Sequence, residues 1–389
     1  MKPVILRGFK LRSRRQNGVT LIELMVAMTL ALGIVAAVSY IYIQGKTGFV
    51  VQDNRSRLQE NARLAYSVMS RDLLMGGYFG CVKPVADFNT DPPISTLRIT
   101  AAQPLMTSDI SWIELDGDQV NGTRFLDPGA TVRGYDDGAG WQVPSSVSGA
   151  RLSGTDTLVV LRGGEDSRHL SESATIDEFK VVSVMSGVTT NGRTPPMVIS
   201  DCTRGELIKP TIKSGGLVFS VANTLNDNTA NPDANRDKLR YASSYGTSAI
   251  VTTFEPVSFY IAPAKGKNGA MVPSLHRLVT QADSSVPANA GRWKTSGDVV
   301  VEGVERMQLQ YFTAGATDGT SDGPYTASQV TAAGTWRSVV AVQVTLGFVS
   351  DDDSIRTAST TQTVGGSAVT DNKIRLTSSF TVSIRNTKF

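Results

Sequence analysis

The sequence has few of the residues on which most enzyme active sites depend. Its 389 residues include two histidines, His169 and His276, and neither lies in a recognisable nucleophile motif. We expect both to lie on the surface. The sequence has no phosphate-binding glycine loop and no Walker motif, which argues against a nucleotide-hydrolysing role. The sequence therefore predicts a protein that is not an enzyme and needs no cofactor.

The charged residues predict neither a metal site nor nucleic acid binding. Two acidic runs, Asp116-Gly117-Asp118 and Asp351-Asp352-Asp353, lack the EF-hand spacing, and turn formation explains both. Lys and Arg exceed Asp and Glu by three, 38 against 35. Six basic residues precede Gly18, however, so the rest of the chain has an acidic surplus. We therefore expect no direct nucleic acid partner.

One apolar run, from Val19 to Ile43, contains a single charged residue, Glu23. As a helix, about 25 residues at ~1.5 Å each span roughly 37 Å, enough to cross a hydrocarbon core of about 30 Å. The basic residues before the run should stay in the cytoplasm, which would place the rest of the chain outside the inner membrane. A conventional signal peptide with its apolar region at Leu24–Val38, cut near residue 40, is the alternative.

Glu23 needs an explanation, because an unpaired carboxylate in lipid costs several kcal/mol. It could lie near the membrane surface and extend its carboxylate toward water, since it is only four residues from Val19. Alternatively, it could pair with a cation from a partner subunit. The position in the sequence alone leaves both explanations open.

The residues around Glu23 resemble the class III signal of type IV pilins and related proteins. The resemblance rests on the basic leader and on Gly18-Val19-Thr20-Leu21-Ile22-Glu23-Leu24, although the family more often has Phe or Met where Val19 stands. It implies that a prepilin peptidase cuts between Gly18 and Val19 and that the new amino terminus is N-methylated. Glu23, fifth in the mature chain, would then pair with the freed amine of a neighbouring subunit.

The helical pattern continues beyond Ile43 but becomes one-sided. Apolar residues recur every three or four positions, which indicates one buried face: Leu58, Ala62, Ala65, Met69 and Leu73. The charged residues between them, Arg71 and Asp72 included, are expected to face solvent. Gly76-Gly77 should end the helix, giving one helix of some 55 residues.

Several motifs narrow the resemblance to the PilW-type minor pilins. They are Gln59-Glu60-Asn61-Ala62-Arg63, Arg71-Asp72-Leu73, Gly76-Gly77-Tyr78-Phe79-Gly80-Cys81, Ser200-Asp201-Cys202, Val301-Glu302-Gly303-Val304-Glu305 and Arg385-Asn386. The resemblance implies a pilin-like α+β fold, in which a long N-terminal helix packs on an antiparallel β-rich periplasmic domain. We divide the chain into a cleaved leader (1–18), a transmembrane half-helix (19–43), an amphipathic half-helix (44–76) and a β-rich domain (77–389) of one or two lobes.

The β-rich region is indicated by short runs of β-forming residues between polar turns. The clearest are Thr157–Arg162, Phe179–Val184, Met197–Ser200, Leu217–Val221, Ile250–Tyr260, Val299–Tyr311, Ser338–Phe348 and Ser379–Arg385. The only cysteines, Cys81 and Cys202, are expected to form one disulfide in an exported chain, and two buried thiols are the alternative.

The resemblance implies a minor pilin that primes pilus assembly with other minor pilins and the major pilin. It would lie in a tip complex beneath a large adhesin and support twitching motility, adhesion or DNA uptake. Before assembly it would cross the inner membrane once. Two alternatives stay open, a J-type pseudopilin of type II secretion and a membrane-tethered periplasmic enzyme.

Overall fold

The structure, a computed structural model, describes most of the chain. The described residues are 18–80, 86–87, 94–95, 97–99, 131–141, 151–185, 197–202, 205–208, 210–221, 239, 242–266, 269–279, 297–314, 321–350, 360–364 and 367–385. The leader before Gly18, Cys81 and both acidic runs lie outside them.

One helix, α1, runs unbroken from Leu21 to Leu74, which confirms the prediction of a single long N-terminal helix. It ends where the sequence predicts. The N–H of Gly76 donates to the carbonyl of Leu73 at 3.1 Å, and Gly77 has φ 73°, a conformation that glycine adopts without steric cost. The chain then turns away at Tyr78.

The C-terminal part of α1 buries the face that the spacing predicts. Leu58, Ala65, Met69 and Leu73 are buried, and Ala62 is half-buried. Asp72 is buried with them, at 1% exposure, so its predicted position on the solvated face is wrong. Its partners explain why, as described below.

The remaining elements are short. The strands are β1 (Ala86–Asp87), β2 (Ile94–Ser95), β3 (Leu97–Ile99), β4 (Val132–Tyr135), β5 (Thr157–Val160), β6 (Gly163–His169), β7 (Glu178–Lys180), β8 (Met197–Ser200), β9 (Gly205–Ile208), β10 (Thr211–Ser214), β11 (Val218–Ser220), β12 (Ile250–Phe254), β13 (Val257–Lys265), β14 (Met271–Val279), β15 (Asp298–Glu302), β16 (Val304–Ala314), β17 (Ser321–Tyr325), β18 (Val339–Val349), β19 (Thr360–Val364), β20 (Ser367–Asp371) and β21 (Arg375–Ser383). A second helix, α2 (Ala327–Ala333), and 3-10 turns at Asp136–Gly138, Ala242–Ser244 and Trp336–Ser338 complete the described elements.

The strands form mainly antiparallel sheets, as the fold class predicts. A five-stranded sheet has the order β15-β14-β13-β5-β4, and a four-stranded sheet has the order β17-β16-β18-β21. A third has the order β3-β9-β8-β12-β6, in which β3 and β9 are parallel, and a small sheet has the order β10-β11-β7. The hairpins β1-β2 and β19-β20 stand alone. The fold is therefore α+β.

Two predicted strands are each divided in two. Ile250–Tyr260 breaks at Glu255-Pro256, between β12 and β13, where proline has no N–H to donate to a ladder. Val299–Tyr311 breaks at Gly303, which has φ 74° between β15 and β16. In both places the apolar pattern continues across the break, so periodicity alone cannot locate it.

The chain forms two units, the helical residues up to Asp53 and a compact unit from Asn54 onward. Within the second unit, part of the β-rich region has its own core, built around stacked Phe179 and Phe219 with Tyr245, Val251 and Met197. This core lies in the sheets that contain β7, β8, β11 and β12.

Two aspartates hold the connections near β5 and α2 in place. The Asp156 carboxylate accepts the N–H of Asp137 at 3.0 Å and the N–H of Leu309 at 2.8 Å, and burial raises its pKa. The Asp136 carboxylate accepts the N–H groups of Ala327 and Ser328, at 3.0 and 2.8 Å, at the start of α2. Burial raises the pKa of Asp136, but these hydrogen bonds and that of the Ser328 hydroxyl lower it by more.

The β4 strand approaches β16 so closely that one position admits only glycine. A Cβ atom at Gly134 would lie 1.7 Å from the hydroxyl oxygen of Tyr311. The Tyr311 side chain is fully buried, and burial raises its pKa. Glycine at this position therefore allows the two sheets to meet around an aromatic ring.

Candidate functional site

The first turn of α1 is capped by Thr20. Its carbonyl accepts the N–H of Leu24 at 3.1 Å, and its hydroxyl oxygen accepts the N–H of Glu23 at 3.3 Å. Thr20-Leu21-Ile22-Glu23 has the spacing of a capping box, in which a glutamate three residues after the cap faces the exposed N–H groups and the positive end of the helix dipole. Sequence reasoning missed this role, although the Thr-x-x-Glu spacing signals it.

The capping geometry by itself explains a glutamate at position 23, because its carboxylate faces the positive end of the helix dipole. The helix end offers this carboxylate only about half an elementary charge. Glu23 is exposed, as are Gly18 and Val19 before it. Within the part of the chain that the structure describes, no atom lies within 4 Å of the position that a Cβ on Gly18 would take.

The apolar half of α1 leaves its side chains uncovered within its own unit. Each large apolar side chain between Val19 and Ile43 is 53% to 78% exposed. Among the described residues, α1 is the helix that is long and apolar enough to cross a membrane. A surface this large and apolar needs lipid or other helices around it.

The other end of α1 is fastened by a buried group of charges, which we call the latch and define as Asp72, Arg277 and Arg162. The Asp72 carboxylate accepts two hydrogen bonds from Arg277 of β14, from Nε at 2.6 Å and from Nη2 at 3.0 Å. The Nε atom of Arg162, which follows β5, lies 3.5 Å from the same carboxylate. Asp72 and Arg162 are 1% and 2% exposed.

The charges of the latch are removed from water, so each depends on its partner, and losing one partner would leave a buried charge unpaired. Burial lowers the pKa of Arg277, but the hydrogen bonds and charge of Asp72 raise it by more. Arg162 also faces Glu255 at 3.7 Å, so the buried charges continue beyond the latch. Arg71, one residue before Asp72, makes a surface pair with Glu165 at 3.8 Å.

Further contacts join α1 to the sheets next to the latch. The side-chain amide of Asn61 donates to the carbonyl of Glu302 at 3.1 Å. The ring of Tyr66 lies edge-on to Phe380 of β21, with centroids 5.0 Å apart. These contacts and the latch hold the C-terminal part of the helix against two sheets at once.

The two histidines differ in their surroundings. His169 is exposed on β6, as predicted, but His276 is buried at 8% exposure, and the prediction of a surface position is wrong for it. The ring nitrogens of His276 face the carbonyl oxygens of Gly297 and Ala262, at 3.3 and 3.2 Å, and its ring stacks on Tyr260. His276 therefore connects strands, and its neighbours in the chain carry no signal of this, since burial in β14 does not alternate.

The predicted disulfide stays a prediction, because Cys81 lies outside the described residues. Cys202 follows β8 and has φ 71°, an unusual backbone conformation for a residue with a side chain. The processing and assembly roles of Gly18, Val19 and Glu23 are likewise predictions for the proposed function below.

Comparison with known proteins finds two family matches, at opposite ends of the chain. Residues 258–386 match the family described as Type IV Pilus-assembly protein W, and residues 13–40 match the prokaryotic N-terminal methylation motif. The predicted resemblance to PilW-type minor pilins is thereby confirmed. Arg277, Glu302 and Phe380, which hold the C-terminal part of α1, all lie within the first match.

No curated protein matches the chain. A solved structure described as a type IV-like pilin, TTHA1219 from Thermus thermophilus, is similar at 12% identity over 35% of this chain and 69% of that chain, with a TM-score of 0.18.

Proposed function

We propose that this chain, which combines a PilW-type domain with a prepilin-type methylation motif, is a minor pilin of a type IV pilus. The observation that carries the proposal is the apolar half of α1, whose large side chains are all more than half exposed and whose one charge lies in the first turn. Such a helix is suited to wait in a membrane and then to pack among the helices of other subunits. The latched part of α1 holds the β-rich unit to that helix.

Processing comes first in the proposed sequence of events. The basic leader stays in the cytoplasm, the β-rich unit lies in the periplasm, and a prepilin peptidase cuts between Gly18 and Val19. The new amino terminus is then N-methylated. Sequencing the mature chain from its amino terminus tests this step, and a start near residue 40 would exclude it.

Glu23 then sets the position of the subunit in the assembly. Its carboxylate pairs with the methylated amine of a neighbouring subunit, because an unpaired charge among packed helices is costly. The capping by Thr20 fixes the first turn of α1, so the Glu23 carboxylate starts from a defined place on the helix when it pairs with that amine. Apolar contacts along Leu21 to Ile43 supply the remaining interaction.

A pair of charge-matched variants tests the role of Glu23. We expect Glu23→Ala to be processed and folded but to leave cells without surface pili. Glu60→Ala removes the same charge from an exposed position of the amphipathic half and should leave piliation unchanged. Normal pili in the Glu23→Ala strain, counted by electron microscopy, would refute the assembly role.

We further propose that the protein is not catalytic and acts with other minor pilins and the major pilin in a priming complex. In this proposal the protein lies beneath a tip adhesin and supports twitching motility, adhesion or DNA uptake. Deleting the chain should abolish twitching and leave the secretion of exoproteins intact. Loss of secretion with normal twitching would favour the J-type pseudopilin instead.

A further inference from the structure

One edge of the four-stranded sheet has backbone groups that point out of the sheet. Among the described strands, β21 pairs with β18 alone. At one end of the ladder Ile384 N–H donates to the Val340 carbonyl at 2.7 Å, and at the other Ser350 N–H donates to the Ile374 carbonyl at 2.9 Å. Because bonded pairs alternate in an antiparallel ladder, the even-numbered residues bond to β18. The odd-numbered N–H and C=O groups point away from it.

A side-chain contact agrees with this assignment. The hydroxyl oxygens of Ser379 and Thr345, which are opposite each other in the register, lie 2.8 Å apart. Opposed side chains approach this closely at the pairs that exchange no backbone hydrogen bonds. Ser379 is odd-numbered, so its backbone groups are among those that point outward.

From Leu376 to Ser383, β21 lacks two features that keep sheet edges apart, because it has no charged residue there and its register with β18 runs without a bulge. Its first residue, Arg375, is charged but pairs with Glu305 and Asp371, and β19 lies close to part of the strand. By contrast, β17 at the opposite edge contains Pro324 and a register shift. The β6 edge of another sheet contains Glu165 and Arg168. Regular, uncharged edges pair readily with other strands, and proteins usually protect them.

The two faces of β21 indicate what kind of strand would fit. Thr377, Ser379 and Thr381 are exposed on one face. On the other face Phe380 contacts Tyr66, whose side chain is still 47% exposed. On that face, the side chains of a strand added beside β21 would cover Tyr66. On the other face, its side chains would be exposed to solvent next to the Ser and Thr residues. It should therefore alternate between apolar and polar residues.

We propose that β21 accepts an extended strand of alternating apolar and polar residues from another pilus subunit. The added strand extends the four-stranded sheet by one and takes its backbone hydrogen bonds from the odd-numbered residues of β21. This inference rests on the proposed function, since it assumes that pilus subunits are the neighbours in the cell. It assigns the contact to the β-rich unit and so adds a second interface to the one at Glu23.

Crosslinking in cells that assemble pili tests the proposal with the full chain. A photoreactive p-benzoylphenylalanine at Thr381 should give adducts with a different pilus subunit. The same group at Asp322, exposed on the protected β17 edge, is the matched control, and we expect about tenfold less adduct there. Adducts only with copies of this chain, or equal yields at the two positions, would overturn the proposal.

Backbone variants separate strand addition from mere proximity. Thr381→Pro removes one outward N–H without touching a bond to β18, whereas Thr381→Val keeps it. With the photoreactive group moved to Ser379, the adduct should fall about tenfold in the proline variant and stay in the valine variant, since one lost hydrogen bond is worth about fivefold and the ring adds a clash. An unchanged yield in the proline variant contradicts the proposal.

A charge variant keeps the test decisive if Thr381→Pro lowers the amount of folded chain. Thr377→Lys places a charge on an exposed position, as natural edges do, and Thr377→Ser is its control. The lysine variant should lose the adduct, and an unchanged yield overturns the proposal. If adducts are absent throughout while Glu23→Ala still abolishes piliation, the edge inference fails and the proposed function stands.

Discussion

Removing Asp72 should destabilise the β-rich unit far more than removing an exposed carboxylate nearby. In Asp72→Ala the guanidinium of Arg162, at 2% exposure, loses its pairing with Asp72, and Arg277 loses both hydrogen bonds to the carboxylate. Breaking a buried ion pair by removing one partner typically costs about 3–5 kcal/mol of unfolding free energy. Glu165→Ala removes a carboxylate that is 69% exposed, and we expect it to cost at most about 1 kcal/mol.

Denaturant titration of the full chain in detergent measures both variants. Trp141 and Trp336, at 7% and 2% exposure, are buried in the same unit as the latch, so their fluorescence reports its unfolding. A double-mutant cycle between Asp72→Ala and Arg277→Ala should give a coupling of at least about 1.5 kcal/mol, as charged hydrogen bonds do. Similar losses for Asp72→Ala and Glu165→Ala, or no coupling, would refute the reasoning.

Three further predictions concern the rest of the unit. Gly134→Ala should cost about 1–3 kcal/mol by overpacking the buried Tyr311, whereas Gly246→Ala should stay within about 0.5 kcal/mol in the same titration, since no described atom lies within 4 Å of the added Cβ. Asp136→Ala should cost about 1–2 kcal/mol. Because folding lowers the pKa of Asp136, this carboxylate stabilises the fold above an unfolded-state pKa of about 4, and the stabilisation is lost as the pH falls through the folded pKa. On acidification the melting temperature of Asp136→Ala should therefore fall less than that of the wild type. Cys202→Ser and Cys81→Ser should each cost about 4–5 kcal/mol in the chain-entropy model, and wild-type stability that is indifferent to thiol reduction would contradict the disulfide.

The extent of α1 could be predicted from the sequence, because the residues that determine it act on their close neighbours in the chain. The apolar period from Leu58 to Leu73 and the glycines after Leu74 act within a few residues of where they stand, and the structure agrees with them. The class III signal is local in the same sense, and the family match at residues 13–40 confirms it.

The latch could not be predicted for the opposite reason. Asp72 lies 205 residues from Arg277 along the chain, and nothing near Asp72 indicates that the two arginines will meet it. A charged residue within an amphipathic helix is most often solvated, so the local rule placed Asp72 on the wrong face. His276 was misplaced similarly, because its burial depends on how β14 pairs with β13 and β15.

The arrangement at the end of α1 has a mechanical consequence. Tension applied along the helix axis reaches the sheets through contacts spread from Leu58 to Leu73 and through the two arginines on Asp72. Such contacts are loaded side by side, in shear, so the tension cannot peel them apart one at a time. A subunit built this way is expected to resist being torn from its anchor even when no single interaction in it is very strong.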